Sequence, residues 1–207
     1  DALKGTVGLA AGNTVLLDLG GPPKIQVSEG ALNTLIEQSG GIKADGGNIY
    51  LTAKAAGELA SSVINHTGVT QARTLASNQK GEIILLADMA VGTTKVAGTL
   101  DASAPTQGDG GFIETSAAHV KVADGVSITT KSAQGQTGTW LIDPKNYTVG
   151  ADDDMIGAAL SAQLNNNNVT IQSTLGFDNG DGDININEAV TWSAANTLTL
   201  NAQRNVN

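Results

Sequence analysis

The sequence predicts an all-β protein, a parallel β-helix, and three observations lead to this fold class. Short apolar runs of Val, Ile, Leu and Ala alternate with Gly, Asn, Asp, Ser and Thr along the 207 residues. The chain has 26 glycines and only 3% aromatic residues, although 40% of it is hydrophobic. Strands marked by glycine also recur about every 30 residues. This combination is typical of many short strands joined by tight turns.

Three strand types make up the repeat. The first type follows Gly12, Gly47, Gly81, Gly111, Gly138 and Gly182, and the second begins at Gly41, Gly68, Gly98 and Gly125. Second-type strands start 27, 30 and 27 residues apart, and a first-type glycine follows each of the last three after 13 residues. A third type lies just upstream of the second, at residues 62–65 and 119–122.

A coil explains this repeat, because a strand of four or five residues cannot bury its apolar face alone. If each unit forms one turn, its strands pair in parallel with the coils above and below, and inward residues stack about 4.8 Å apart. Glycine at the corners permits the positive φ of a sharp bend. An antiparallel sandwich is the competing fold, but it does not predict the constant 13-residue interval.

The chain is predicted to form one domain of roughly seven coils at the spacing of stacked strands. Residues 1–149 are expected to form regular coils, 150–168 a helical insertion with an Asn-rich turn, and 169–207 further coils. Strands are expected to centre on Val15, Ile49, Val69, Ile83, Ile113, Val126, Leu141, Ile171, Ile184 and Leu198. Trp140 and Trp192 are expected to be partly buried at coil edges.

Two segments interrupt the strand pattern. Residues 28–38 are predicted as a short helical turn, with Ala31, Leu32, Leu35 and Ile36 on one face. Residues 152–164 are predicted as a helix, with the carboxylates of 152–154 at its N-terminus and the Asn run 165–168 at its end. Its apolar stripe comprises Met155, Ile156, Ala159, Leu160 and Leu164. We expect this helix to pack on the flank of the solenoid or to cover an open edge.

Charge and composition exclude several classes of function. The formal charge is −9, so no nucleic-acid partner is expected, because such proteins need a concentrated basic face. The absence of cysteine excludes disulfides and thiolate metal sites. Both termini resemble cuts within a longer pattern, so we expect the chain to be a segment of a larger protein.

Four stretches resemble a known family: residues 110–125 (GGFIETSAAHVKVADG), 138–144 (GTWLIDP), 48–56 (NIYLTAKAA) and 100–105 (LDASAP). They are similar to the large exoproteins of the filamentous haemagglutinin and high-molecular-weight adhesin type, secreted by the two-partner route in Gram-negative bacteria. The similarity runs from about Gly12 to the C-terminus, and the Trp-Leu-Ile-Asp-Pro block is its most specific part.

The resemblance implies a right-handed parallel β-helix within a fibrous adhesin at the bacterial surface. The family's secretion domain carries Asn-Pro-Asn-Gly and Asn-Pro-Asp-Gly motifs, and neither occurs here. The chain is therefore expected to lie downstream, in the shaft, while the full-length protein uses an outer-membrane secretion partner.

The sequence offers few candidates for chemistry. Residues 176–188 (GFDNGDGDININE) suggest a calcium loop, but EF-hand spacing fails because Gly180 stands third from Asp178, and a solvated corner is the favoured interpretation. His66 and His119 lie in different coils without ligand spacing. The acids Glu114, Asp143 and Asp152 are not singled out by any pattern as a glycosidase pair. We expect no catalytic residues, cofactor or metal.

Three glycosylation-type sequons begin at Asn65, Asn146 and Asn168. Some adhesins of the similar family are modified at such sequons, which makes these residues candidates. The alternative is that the Asn and Thr side chains form hydrogen-bond ladders between coils.

The expected function is a structural and adhesive shaft segment of a secreted, surface-displayed bacterial adhesin. Its partners would be adjoining coils of the same chain, and host glycans or cell-surface receptors. A self-assembling β-solenoid filament subunit, pairing end to end with copies of itself, is the alternative. A carbohydrate-active β-helix enzyme is the third hypothesis.

Overall fold

The computed structural model describes residues 1–18, 24–76, 79–173 and 182–207. In these ranges the chain forms a parallel β-solenoid of about six turns, as the repeat predicted, although with fewer turns than the seven expected. Its strands are β1 (Thr6–Ala11), β2 (Thr14–Asp18), β3 (Lys24–Glu29), β4 (Asn33–Gln38), β5 (Gly41–Lys43), β6 (Asn48–Ala53), β7 (Ser61–His66), β8 (Val69–Gln71), β9 (Glu82–Leu86), β10 (Thr93–Val96), β11 (Thr99–Asp101), β12 (Phe112–Ser116), β13 (His119–Val122), β14 (Ser127–Thr129), β15 (Thr139–Asp143), β16 (Tyr147–Val149), β17 (Asn168–Ser173), β18 (Ile184–Ile186) and β19 (Leu198–Ala202). One helix, α1 (Gly157–Leu164), is present in the described ranges.

Three parallel sheets form the sides of the solenoid. Sheet 1 has the strand order β1-β6-β9-β12-β15-β17-β19, sheet 2 has β13-β10-β7-β4, and sheet 3 has β14-β11-β8-β5. Nearly every predicted strand centre falls in a strand, and Val126 lies one residue before β14. The third strand type is confirmed as β7 and β13 of sheet 2.

The core consists of ladders of equivalent residues in successive turns. Ile49, Ile83, Ile113 and Trp140 are Cα partners along sheet 1, and all four are fully buried. A second ladder, of Leu51, Leu85, Thr115 and Ile142, runs beside the first. Because each inward side chain contacts its own equivalent, aliphatic residues of similar size fill the narrow interior.

Trp140 lies inside this core, so the prediction that it would sit partly buried at a coil edge is wrong. The ring fits because its diagonal neighbour on β12 is Thr115, which is smaller than the leucines at the equivalent positions of β6 and β9. The Trp140 indole N–H also donates to Thr115 Oγ1 at 3.1 Å. Trp192 is 38% exposed, as expected for a partly buried ring.

Residues 28–38 are not helical, which corrects the prediction for this segment. They contain the end of β3 and the whole of β4, in which Thr34, Ile36 and Gln38 point inward. Leu35 points outward and is 59% exposed. The segment forms a strand and not a helix because β4 pairs along its full length with β7. The edge of β7 offers backbone hydrogen bonds that a strand can use and a helix could not.

Two first-type strands were also placed wrongly. The strand after Gly12 is β2, which forms the antiparallel hairpin β2–β3, while β1 pairs with β6 in sheet 1. The hairpin packs through β3 on β1 and β6. The strand after Gly182 is β18, which pairs with β16 in a separate two-stranded sheet. In both cases a glycine precedes a strand that does not belong to sheet 1, so a preceding glycine alone does not assign a strand to that sheet.

Helix α1 begins five residues later than predicted. Asp152 has a φ of 64°, Met155 forms a bridge with Val149, and Ile156 is the N-cap. The carboxylate of Asp154 accepts from Thr148 N–H at 2.9 Å instead of lying in a first helical turn. The buried stripe of Ala159, Leu160 and Leu164 is confirmed, and the helix ends at the Asn run.

Helix α1 covers an open edge, the free side of β14 in sheet 3. The Gln163 amide accepts from Ile128 N–H at 3.1 Å and donates to the Val126 carbonyl at 3.0 Å. The Asn167 amide accepts from Thr130 N–H at 2.7 Å and donates to the Ile128 carbonyl at 3.0 Å. Each amide thus makes the two bonds that a residue of a parallel strand would make.

Candidate functional site

Two of the three sequon asparagines hold the coils together. Asn146 accepts through Oδ1 from the backbone N–H groups of Gly182 and Asp183 at 2.8 and 2.9 Å. Asn168 donates to the Thr137 carbonyl at 2.8 Å and accepts from Thr197 N–H at 3.0 Å. These bonds join residues 29 to 37 positions apart, so both asparagines link neighbouring turns, although they bind backbone groups and not a ladder of stacked side chains.

Asn65 differs from the other two. It lies on the outward, half-buried side of β7, and its Cα partners are Glu37 and Lys95. Within the described ranges its side-chain amide has no hydrogen bond. Of the three sequons, Asn65 is therefore the one at which a modification would break no bond between coils.

The two histidines have unlike environments, and neither faces the other. His66 is fully buried, and its Nδ1 and Nε2 lie 2.7 Å from the Ala97 carbonyl and 3.0 Å from Thr70 Oγ1. Burial lowers the pKa of His66, and the bond to Ala97 opposes this effect. Both ring nitrogens thus have structural partners. His119 is exposed at the start of β13.

Of the three acids named from the sequence, the structure brings two together. Glu114 and Asp143 lie on the adjacent strands β12 and β15, whereas Asp152 lies exposed in the turn before α1. Asp143 is 7% exposed, and Oδ2 accepts from Gln172 Nε2 at 3.2 Å while Oδ1 has no partner among the described residues. Burial raises the pKa of Asp143 to about 6, the Gln172 bond lowers it, and Glu114 raises it.

The first six residues of the suggested calcium loop, 176–181, lie outside the described ranges. In its described part, Asp183 pairs with Arg204 and accepts from Asn205 N–H at 3.2 Å. Glu188 accepts from Gly157 N–H at 2.6 Å. Over the described part of the chain, no group of three or more His, Asp or Glu side chains is placed to hold a metal ion.

One surface groove was missed by the sequence interpretation. Gly81, Gly111 and Gly138 line its floor, one in each of three successive turns, and the groove has a volume of about 390 Å³. These glycines are required by the backbone, since a Cβ at Gly111 would lie 2.2 Å from the Gly81 carbonyl oxygen. The sequence shows this glycine column, but only as corner residues and not as the floor of a groove.

Polar side chains in fixed pairs form the walls of this glycine-floored groove. Lys80 Nζ lies 3.0 Å from Asp109 Oδ2, and Asp109 Oδ1 accepts from Gln136 N–H at 3.0 Å. Glu82 accepts from the Tyr50 hydroxyl at 2.6 Å. The half-buried ring of Phe112 is the one aromatic side chain lining the groove in the described residues.

No family model, curated protein or solved structure matches this chain. No helix in the described ranges is both long enough and apolar enough to span a membrane.

Proposed function

We propose that this chain is a structural and adhesive shaft segment of a large secreted bacterial adhesin, displayed at the cell surface and attaching the cell to hosts, surfaces or other bacteria. One structural observation supports the proposal most: sheet 1 keeps its seven strands in register through about six turns. Stacked strands lie about 4.8 Å apart, so six turns extend roughly 30 Å along one axis. The motif resemblance to exoproteins of the haemagglutinin type supports the adhesive role.

The surface chemistry agrees with a shaft. Outward positions of sheets 1 and 2 carry mostly polar or charged residues, and the chain has a formal charge of −9. Like charge keeps neighbouring copies apart and soluble. A segment that only extends a fibre needs stackable coils and such a surface, and it needs no converging catalytic groups.

A self-assembling filament subunit remains the second candidate. One observation favours it: β1 and β19 are the outermost strands of sheet 1, and outermost strands can pair with another copy. The two ends of the solenoid, however, do not match. One end presents β1, β4 and β5, whereas at the other end α1 covers β14 through the Gln163 and Asn167 amides.

Light scattering during size exclusion, combined with small-angle X-ray scattering, distinguishes the shaft segment from the filament subunit. A shaft segment is expected to remain an elongated monomer from low to high micromolar concentration. Long end-to-end polymers would contradict the shaft and favour the filament.

Surface display is tested separately, by labelling intact producing bacteria with antibodies to this chain before and after loss of the outer-membrane partner. Labelling that is absent, or that survives this loss, would contradict the proposed export route.

A further inference from the structure

We propose that the glycine-floored groove binds a neutral oligosaccharide lying along the solenoid axis. The inference builds on the adhesive role proposed above and names a ligand class and a place for it. The groove crosses three successive turns, because its floor consists of Gly81, Gly111 and Gly138. Its volume of about 390 Å³ lies within the range of small-molecule sites, which is about 300–1,000 Å³.

The charge of the groove argues against an anionic ligand. Among the described residues of the lining, Lys80 is the one basic residue, and it is paired with Asp109 at 3.0 Å. Glu82 adds a second carboxylate, so the described lining has a net charge of −1 in a chain of −9. A sulfated or phosphorylated ligand would meet repulsion there, because like charges close together are unfavourable.

The floor of the groove argues against an extended peptide. A peptide that adds to a sheet needs unpaired backbone groups at an edge. Here the Gly81 carbonyl accepts from Phe112 N–H at 3.0 Å, and the Gly111 carbonyl accepts from Thr139 N–H at 3.2 Å. The groove therefore offers side chains, and not a strand edge, to its ligand.

The walls fit a polyhydroxylated ligand. Asn48, Gln136 and Thr139 offer amide and hydroxyl groups that both donate and accept, as sugar hydroxyls do. The Tyr50 hydroxyl holds the Glu82 carboxylate in place before binding, which lowers the ordering cost. Lys80 and Asp109 are 52% and 43% exposed, so their polar groups are accessible to sugar hydroxyls. Phe112 supplies an apolar ring against which the C–H face of a sugar can pack. An apolar ligand would leave these polar walls unpaired.

The test is a titration of the ¹⁵N-labelled chain with neutral hexasaccharides: β-1,4-linked glucose, β-1,4-linked xylose and α-1,4-linked glucose. We expect saturable shifts of the Gly81, Gly111 and Gly138 amide signals with at least one hexamer. Phe112→Ala is expected to weaken that binding about tenfold. Ile84→Ala is the matched control, because Ile84 lies on the outer side of sheet 1 but outside the groove, and it should leave the affinity unchanged.

Gln136→Ala is a second groove variant, at an exposed position, for the case that Phe112→Ala disturbs folding. It should also weaken binding. The proposal is overturned if no hexamer gives saturable shifts at these glycines, if a heparin hexasaccharide binds more tightly, or if Ile84→Ala weakens binding as much as the groove variants. Failure here would leave the scattering result intact, so the ligand and the shaft are tested separately.

Discussion

Single residues in this solenoid are constrained by their equivalents one turn away. Trp140 occupies a ladder otherwise made of aliphatic residues, and it lies beside Thr115, whose hydroxyl oxygen accepts a hydrogen bond from the indole N–H. A buried indole N–H without a partner would be costly, so the ring and the threonine depend on each other. The sequence shows both residues but does not show that β12 and β15 make them neighbours.

Asp143 is predicted to destabilise the fold at neutral pH. Its folded-state pKa of about 6 exceeds the ordinary value of 3.8, so stability is lost as pH rises through this window. Asp143→Asn removes the charge and is expected to raise the free energy of unfolding at pH 8 by on the order of 2 kcal/mol. Urea unfolding at pH 8 and pH 3.5 measures the effect, which should vanish at the lower pH.

The exposed Asp124 provides the control, since Asp124→Asn should change stability little at either pH. An Asp143→Asn protein that is less stable at pH 8 would show that the carboxylate makes a stabilising contact.

The sequon asparagines should differ in their contribution to stability. Asn168→Ala removes bonds to Thr137 and Thr197 and is expected to cost about 1–3 kcal/mol. Asn65→Ala breaks no such bond and should stay within about 0.5 kcal/mol. Thermal unfolding of the two unmodified variants tests this, and equal losses would contradict the assignment of a structural role to Asn168 and not to Asn65.

At the scale of elements, α1 acts as a substitute for a strand. Residues four apart on a helix are separated by about 6 Å along its axis. Gln163 lies in the last turn of α1, and Asn167 lies three residues after its end, where its N–H still donates to the Gln163 carbonyl at 3.0 Å as in a further helical turn. Two residues of a strand span about 6.6 Å, so the two amides can follow the backbone of β14. The helix therefore ends sheet 3 without leaving the β14 backbone groups unpaired.

Removing either amide should loosen this end of sheet 3. Gln163→Ala or Asn167→Ala leaves two backbone groups within residues 126–130 without these bonds, at an expected cost of about 2–4 kcal/mol. Hydrogen exchange at Ile128 and Thr130 measures the opening directly. Asn166→Ala is the control, because its half-buried side chain makes no hydrogen bond within the described ranges. Unchanged protection in the first two variants would show that packing alone holds the helix.

Most elements on the regular faces could be predicted from the sequence, because repeated spacing compensates for weak local signals. The segment 28–38 could not, since its apolar residues fit both periods and only pairing with β7 decides between them. The glycine-floored groove could not be predicted from the sequence either. Gly81 and Gly111 are visible as repeats, but the walls come from Lys80, Asp109 and Gln136 on different turns.

At the scale of the whole molecule, the turns should be interchangeable units. Deleting residues 82–111 joins Gly81 to Phe112 and removes one full turn. It lets β6 pair with β12 and β7 with β13 in the register both already use. We expect a folded, shorter solenoid, because each turn contacts mainly its neighbours. Far-ultraviolet circular dichroism and light scattering test this.

Deleting residues 82–96 removes half a turn and is the control. It places a sheet 3 strand where a sheet 1 strand is needed, so that variant should unfold or aggregate. A full-turn deletion that unfolds equally would contradict the independence of the turns.

The in-register ladders also determine the order in which the chain can assemble. Ile83 and Ile113 are partners although they are 30 residues apart, and similar separations recur along sheet 1. The loop that must close for each new pairing is therefore of constant, modest length, and its entropic cost does not grow as the rod lengthens. Each finished turn is a template for the next, so folding can advance as a front along the chain. A chain that emerges gradually from a pore can fold turn by turn as it emerges. Every completed turn then opposes the return of the chain into the pore.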